Sequence, residues 1–341
     1  MRVAVLGVNG VAGSAIAAEF ADAGWGVIGT GRRTSRFPPG LRARGVEFVL
    51  SDRHDPAELS AVLQRGTDVV VDCLCYTAEH ARQLLRRRDR FGSAIVLSSK
   101  AVYRDERGRH SNSDDPPRFD GLVGEGQSVL EPDYSGAFDS RDGYGANKIA
   151  AEHTLLGADE PISILRPSRI HGPGAARPRE WFVVKRLLDG RTSIPLAQDG
   201  RTGNHPTASA NLARLVRTCA ENPGRRVLNA ADPDHPTARD IVEAIAAACG
   251  RPIEIVGLSE RAAPGYGWTP WSTWPPFFLD TSAALALGYT PVGTYAETVT
   301  AEVAELWSLP PEQQDHLTCD RYFRDRFDYD LDEIALKPEF R

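Results

Sequence analysis

Tyr144 and Lys148 stand four residues apart in the run Tyr-Gly-Ala-Asn-Lys. On a helix that spacing stacks both side chains on one face. An ammonium beside a phenol stabilises the phenolate, so the tyrosine is expected to titrate below its ordinary value of about 10 and to exchange a proton near neutral pH. Upstream, SAIVLSS (93–99) ends a strand pattern on Ser98 and Ser99. A hydroxyl at the C-terminal edge of a strand can hold a reacting carbonyl oxygen by hydrogen bonding. None of these side chains carries a hydride, so redox work by the trio requires a cofactor. Alone, a Tyr-x-x-x-Lys pair is a common coincidence. Its weight comes from what precedes it.

GVNGVAG (7–13) lies between the apolar run MRVAVL and the helical pattern SAIAAEFADAG. A strand, a glycine turn and a helix form the setting in which glycines at this spacing bind a dinucleotide. Gly7 permits a tight turn, Gly10 lets backbone approach a pyrophosphate, and Gly13 allows helix and strand to pack closely. With Asn9 and Val11 they form the expected phosphate cradle at a helix N-terminus. The spacing is GxxGxxG rather than GxGxxG. The second strand ends in GTGRR (29–33), with Arg32 and Arg33 where an NAD-preferring protein places a carboxylate. Guanidiniums suit a 2′-phosphate, so NADP is expected over NAD. Asp52, closing the third strand, could reach the adenine or could cap the helix that follows SDRHDP.

These residues need a frame. Short β-branched runs at 3–7, 25–31, 46–52, 67–76 and 93–99 alternate with helical patterns, which predicts a parallel sheet covered on both faces. The expected fold is α/β, a Rossmann-type doubly wound parallel sheet with a smaller mixed C-terminal substrate lobe. Residues 104–143, rich in Asp, Gly, Pro and Ser, read as a long surface loop. Beyond it the pattern predicts a helix near 141–156, a strand at 162–168, helices at 180–189 and 237–249, and strands near 227–230 and 253–256. The expected division is a cofactor domain over 1–165 with a return segment at about 205–232, and a substrate lobe from 166–204 and 233–341. PGYGWTPWSTWPPFF (264–278) cannot form a long helix. It reads as a loop packed on the core through its aromatics, or as a lid.

Composition narrows the partners. The net charge of −6 supplies no basic footprint for nucleic acid or an anionic membrane. The basic run RQLLRRRDR (82–90) reads as a solvated helix face. Five cysteines without a CxxC pair point to a reduced, cytoplasmic chain. No uninterrupted apolar stretch approaches membrane-spanning length. The eight histidines show no metal-ligand spacing, so no metal is expected.

The order of glycine turn, strand-end serine and helical Tyr/Lys pair resembles the short-chain dehydrogenase/reductase superfamily, in its extended, epimerase/dehydratase-like branch. SSKAVY (98–103), ILRPSRIHGPG (164–174), VLNAADPDHPTARDIVEAIAAACGRP and LDTSAALALGYTP are also similar to segments of that branch, and the likeness runs over about residues 1–305. The resemblance implies Tyr144 as acid/base and Lys148 as its partner, also holding the nicotinamide ribose. It implies Ser99 rather than Ser98 as the carbonyl-orienting hydroxyl, with Pro167 and Ser168 beside the nicotinamide. The implied function is an NADP(H)-dependent oxidoreductase or epimerase acting on a secondary alcohol or ketone of a sugar-like small molecule. A non-catalytic NADP-binding sensor is the alternative. A homodimer is implied through the helix near 78–90 and the Tyr/Lys helix. Four departures stand out. The fourth strand ends in DCLCY rather than small residues, with Cys73 and Cys75 read as buried hydrophobes. His171 replaces the usual tyrosine, the segment 203–213 lacks the Arg and paired Asp of sugar-nucleotide members, and the tail 310–341 matches nothing assignable.

Overall fold

The computed structural model describes residues 1–259, 265–323, 325–327 and 329–337. Pro264 and, in the tail, Arg324, Asp328 and residues 338–341 lie outside the described residues. The chain divides into two compact units. The first comprises 1–170, 209–231 and 279–292; the second comprises 171–208, 232–278 and 293–341.

The first unit is built on seven strands: β1 (Arg2–Leu6), β2 (Gly26–Gly31), β3 (Glu47–Leu50), β4 (Val69–Asp72), β5 (Ser93–Leu97), β6 (Ile162–Pro167) and β7 (Arg226–Ala230). Their order is β7-β6-β5-β4-β1-β2-β3, and every pairing is parallel. Successive side chains on a strand point to opposite faces, and the two faces have separate cores. Val3, Val5, Val69, Val71, Ile95 and Leu97 meet Ile16 and Phe20 of the helix Val11–Asp22 and Leu212 and Val216 of the helix Ser209–Glu221. Ala4, Leu6, Val70, Val96, Ile162 and Ile164 meet Leu59, Val62, Leu84 and Leu155, from the helices Pro56–Leu63, Ala78–Leu85 and Gly143–Leu156. Burying both faces explains why the strands read as continuous apolar runs rather than alternating ones. The connections reverse direction between β1 and β4, and the strand C-termini beside such a reversal are where open α/β sheets bind ligands.

The expected boundaries need one correction. Residues 279–292 belong to the first unit, because Ala284 and Tyr289 are buried in its core and the Tyr289 hydroxyl donates to the Asn211 carbonyl (3.2 Å). Their short helix, Ser282–Ala286, carries no periodic signal long enough to reveal that destination.

The second unit packs the helices Trp181–Leu188, Ala238–Ala248 and Thr300–Trp307 around Trp181, Val184, Ile241, Ile245, Val303 and Trp271. Ala238–Ala248 starts with a reciprocal cap between Thr237 and Asp240. The predicted strand at 253–256 is Glu254–Gly257, paired in parallel with Ser193–Leu196, which the sequence did not mark. Trp271 and Phe277 are buried, so the Trp/Pro stretch serves as packing. Among the described residues, no helix is long and apolar enough to cross a membrane.

Candidate active site

The glycine turn leaves β1 with Gly7 at φ +97°, a left-handed conformation that costs glycine little. The amides of Gly7 and Val8 both donate to the Thr30 carbonyl (3.1 and 2.8 Å), tying the turn to β2. A Cβ on Gly13 would lie 2.2 Å from the Gly7 carbonyl oxygen, so only glycine lets the helix sit this close to the strand. A Cβ on Gly10 would meet nothing nearer than that oxygen at 3.7 Å. Gly10 is exposed, and it opens the helix Val11–Asp22 without any side-chain cap. The first-turn amides of a helix have no intrahelical acceptor, and with the positive end of the dipole they form an anion site. Asn9 Nδ2 donates to the Arg33 carbonyl (2.8 Å), while its Oδ1 is buried without a protein partner. A free acceptor, an open glycine and uncapped amides on one turn fit a bound pyrophosphate-ribose.

Arg32 and Arg33 follow β2, exposed and without ion pairs among the described residues. Asp52 does not cap the helix Pro56–Leu63. Asp55 does, accepting from Ala57 N (2.7 Å) and Glu58 N (3.0 Å). Asp52 instead closes a local turn, accepting from His54 N (2.9 Å).

The two serines after β5 have different surroundings. Ser98 is buried and donates to Glu152, whose carboxylate is paired with Arg166 (2.6 Å). Its hydroxyl is engaged inside a buried ion-pair network. Ser99 is half-buried, and its Oγ accepts from Ala101 N (3.1 Å) at the start of the turn Lys100–Val102.

The helix Gly143–Leu156 is pressed against that same turn. A Cβ on Gly145 would lie 2.5 Å from the Ala101 carbonyl oxygen. This contact brings Tyr144 and Lys148 to the end of β5. The Lys148 ammonium is buried and donates to the carbonyls of Cys75 and Leu97, both at 2.8 Å. The second carbonyl lies two residues before Ser99. An ammonium has three donors, so one remains for another acceptor. It stands 4.3 Å from the Tyr76 ring centroid and 5.9 Å from that of Tyr144.

The run DCLCY (72–76) lies at the end of β4. Asp72, fully buried at the end of β4, is paired with Arg53, whose Nε donates to it at 2.7 Å. Leu74 packs on Gly7, close enough that a Cβ there would lie 2.9 Å from its Cγ. Tyr76 stacks on Phe138 (4.9 Å, 2° between planes), and burial followed by the neighbouring Tyr144 pushes its hydroxyl up to about 12. Burial likewise pushes the Cys73 and Cys75 thiols up to about 12, so both are neutral. Tyr76 and Phe138 were not singled out from the sequence. Their signal was the aromatic closing DCLCY and one of two phenylalanines in a polar loop, which only the fold pairs. Pro167 ends β6, and the Ser168 amide donates to the Ala230 carbonyl (3.1 Å), at the same edge of the sheet.

Residues 3–102 match the NAD dependent epimerase/dehydratase family. No curated protein matches the chain. Among solved structures, a UDP-glucuronic acid 4-epimerase mutant from Bacillus cereus, with NAD and a fluorinated UDP-sugar, superposes with TM-score 0.66 at 18% identity. That match covers 90% of this chain and 99% of the other. A dTDP-glucose 4,6-dehydratase from Bacillus anthracis, with NAD, gives 0.68 at 14% identity over 93% and 99%. A UDP-glucose 4-epimerase from Thermotoga maritima, with UDP-glucose, gives 0.64 at 16% over 89% and 98%. The chain therefore shares the fold of these epimerases and this dehydratase, and its residues 3–102 match the epimerase/dehydratase family model.

Proposed function

We propose that the protein is an NADP(H)-dependent oxidoreductase or epimerase acting on a secondary alcohol or ketone of a sugar or sugar-like molecule. The observation that carries this reading is the Lys148 ammonium, held by the carbonyl two residues before Ser99 and 5.9 Å from the Tyr144 ring, in a unit whose first turn is open to a pyrophosphate. The match over residues 3–102 and the NAD named for the neighbours support a dinucleotide. Arg32 and Arg33, with no carboxylate at the end of β2, support the 2′-phosphorylated form.

When bound, the dinucleotide supplies the hydride acceptor or donor that side chains lack. Tyr144 Oη gives or takes the proton at the substrate oxygen. Lys148 places a positive charge beside the ring as that proton moves. Its third N–H remains available to a ribose hydroxyl. Ser99 Oγ donates to the substrate oxygen and fixes its orientation. Ser98 cannot substitute while it is engaged with Glu152. Pro167 and Ser168 border the ring-binding end of the sheet.

The test follows NADPH absorbance with a panel of keto-sugars and simple ketones, for the wild type and for Tyr144→Phe. Tyr144→Phe should lower kcat by at least about a hundredfold, the range of a lost proton-transfer group, while NADPH affinity is unchanged. Cofactor retained tightly without net consumption, together with interconversion of two epimers, selects the epimerase arm. Activity unaffected by Tyr144→Phe refutes the assignment.

A further inference from the structure

His171, which stands where the superfamily usually has tyrosine, opens a cluster in the second unit that the proposed chemistry does not use. Its Nε2 lies 3.0 Å from Asp232 Oδ2, and Asp232 Oδ1 accepts from Ala208 N (2.6 Å). Its Nδ1 faces Glu302 Oε2 at 3.6 Å, too long for a hydrogen bond, and is buried without one. Glu302, on the helix Thr300–Trp307, reaches the turn after His171 by accepting from Gly172 N (2.7 Å) through Oε2, which leaves Oε1 buried and unpartnered. Glu180 accepts from the Tyr295 hydroxyl (3.2 Å) through Oε1, and its Oε2 is also buried without a partner. His171, Glu180 and Glu302 are each at least 97% buried, and one ligand atom from each lies within 4.8 Å of the other two. Among the described residues, neither glutamate pairs with a lysine or arginine.

We propose that His171, Glu180 and Glu302 bind a divalent transition-metal ion of the zinc type, with Asp232 fixing the imidazole. Three features point to an ion rather than to a set of buried ion pairs. Each of the three residues presents a buried polar atom without a hydrogen bond, in an interior where an orphaned polar atom costs about 1–3 kcal/mol. The Asp232–Nε2 contact sets the tautomer that frees Nδ1, the carboxylate–histidine arrangement that orients metal-bound imidazoles. Glu180 and Glu302, with no lysine or arginine paired to them among the described residues, match the charge of one divalent ion once the imidazole is neutral. Tetrahedral ligand bonds of about 2.0–2.2 Å set ligand atoms about 3.3–3.6 Å apart, so a pair at the 4.8 Å limit must close by up to about 1.5 Å, within the reach of a glutamate side chain. The ligands come from positions 171, 180 and 302, so the expectation of no metal, which rested on linear spacing, had no means of finding them. The ion would join the HGPG turn to the helix Thr300–Trp307 and act structurally.

In an ion-free cluster protons do this work. Burial opposes a charge on His171, but Asp232 and Glu302 outweigh it and push the imidazole up to about 10, while burial, followed by repulsion from Glu180, pushes the Glu302 carboxyl up. The experiment separates the two states. The full chain is expressed with zinc supplementation, dialysed against metal-free buffer and analysed by elemental mass spectrometry. The chelator-treated protein is then titrated with Co²⁺ while visible absorbance is followed. About one zinc per chain, and cobalt ligand-field bands saturating at one equivalent, support the site. Glu180→Gln and Glu302→Gln should each weaken cobalt binding by at least about tenfold. Absence of zinc together with absence of cobalt bands overturns the proposal and leaves a proton-neutralised cluster. An ion held equally well by folded variants overturns the ligand assignment. If the variants do not fold, the wild-type titration decides.

Discussion

Two alanine substitutions three residues apart should have opposite consequences. In Gly10→Ala the new Cβ has ordinary contact, 3.7 Å from the Gly7 carbonyl oxygen. The backbone there (φ −92°, ψ 160°) suits any residue. Glycine and alanine at a helix N-cap differ by no more than about 1 kcal/mol, so the fold should survive. The methyl, however, stands on the exposed side of the turn where a pyrophosphate must approach backbone. Loss of one charge-assisted bond of about 1.5–3 kcal/mol corresponds to roughly a 10- to 150-fold weaker dinucleotide complex. In Gly13→Ala the Cβ would lie 2.2 Å from the Gly7 oxygen and 2.8 Å from its carbon. Backbone must move, at a cost of about 1–3 kcal/mol or more, which exceeds the gain of about 1 kcal/mol from alanine's helix propensity. Calorimetric titration with NADPH and thermal melting, run on both variants, separate the effects. A Gly10→Ala protein that melts normally and binds NADPH as tightly as wild type would refute the placement of the pyrophosphate on this turn.

Three other perturbations test separate parts of the structure. Arg32→Ala and Arg33→Ala should each lower the NADPH-to-NADH affinity ratio by roughly tenfold or more, one charged hydrogen bond apiece, with NADH binding little changed; equal losses for both cofactors would contradict a 2′-phosphate contact. Arg53→Met leaves Asp72 buried with only the Leu74 amide as partner and should cost about 3–5 kcal/mol in chemical denaturation. For Asp105, burial alone would raise the carboxyl, but hydrogen bonds from the Arg118 amide, the Arg109 side chain and the amides of Arg109 and Arg107 outweigh it and hold the group near 2. A carboxyl held low stabilises the folded form above its unfolded value of about 3.9, and this contribution is lost as pH falls from there towards 2. Hydrogen exchange across 104–118 should therefore accelerate over that window, and Asp105→Asn should show the faster exchange already at neutral pH.

The sheet and its glycine turn were legible because both are local. Strands buried on two faces read as apolar runs, and a turn needing a positive φ at Gly7 and a close approach at Gly13 admits almost nothing but glycine. Tyr144 and Lys148 were legible for the same reason, since helical spacing alone puts them on one face. Features built by contacts across the sequence were not. Arg53 and Asp72 look like two ordinary surface charges until β4 is seen to bury one of them. Tyr76 and Phe138 lie 62 residues apart, and only the fold stacks them. His171, Glu180 and Glu302 have no spacing at all in the metal-ligand sense. The segment 279–292 is too short and too mixed to announce which unit it joins. In the sequence, only the resemblance favours Ser99 over Ser98. The structure adds a physical difference between the two: Ser98 is committed to Glu152, and Ser99 is not.

Direct titration of the purified wild-type protein with NADPH and with NADH is the measurement closest to the central claim. The account predicts one site per chain and tighter binding of NADPH than of NADH. No binding of either dinucleotide would contradict it outright.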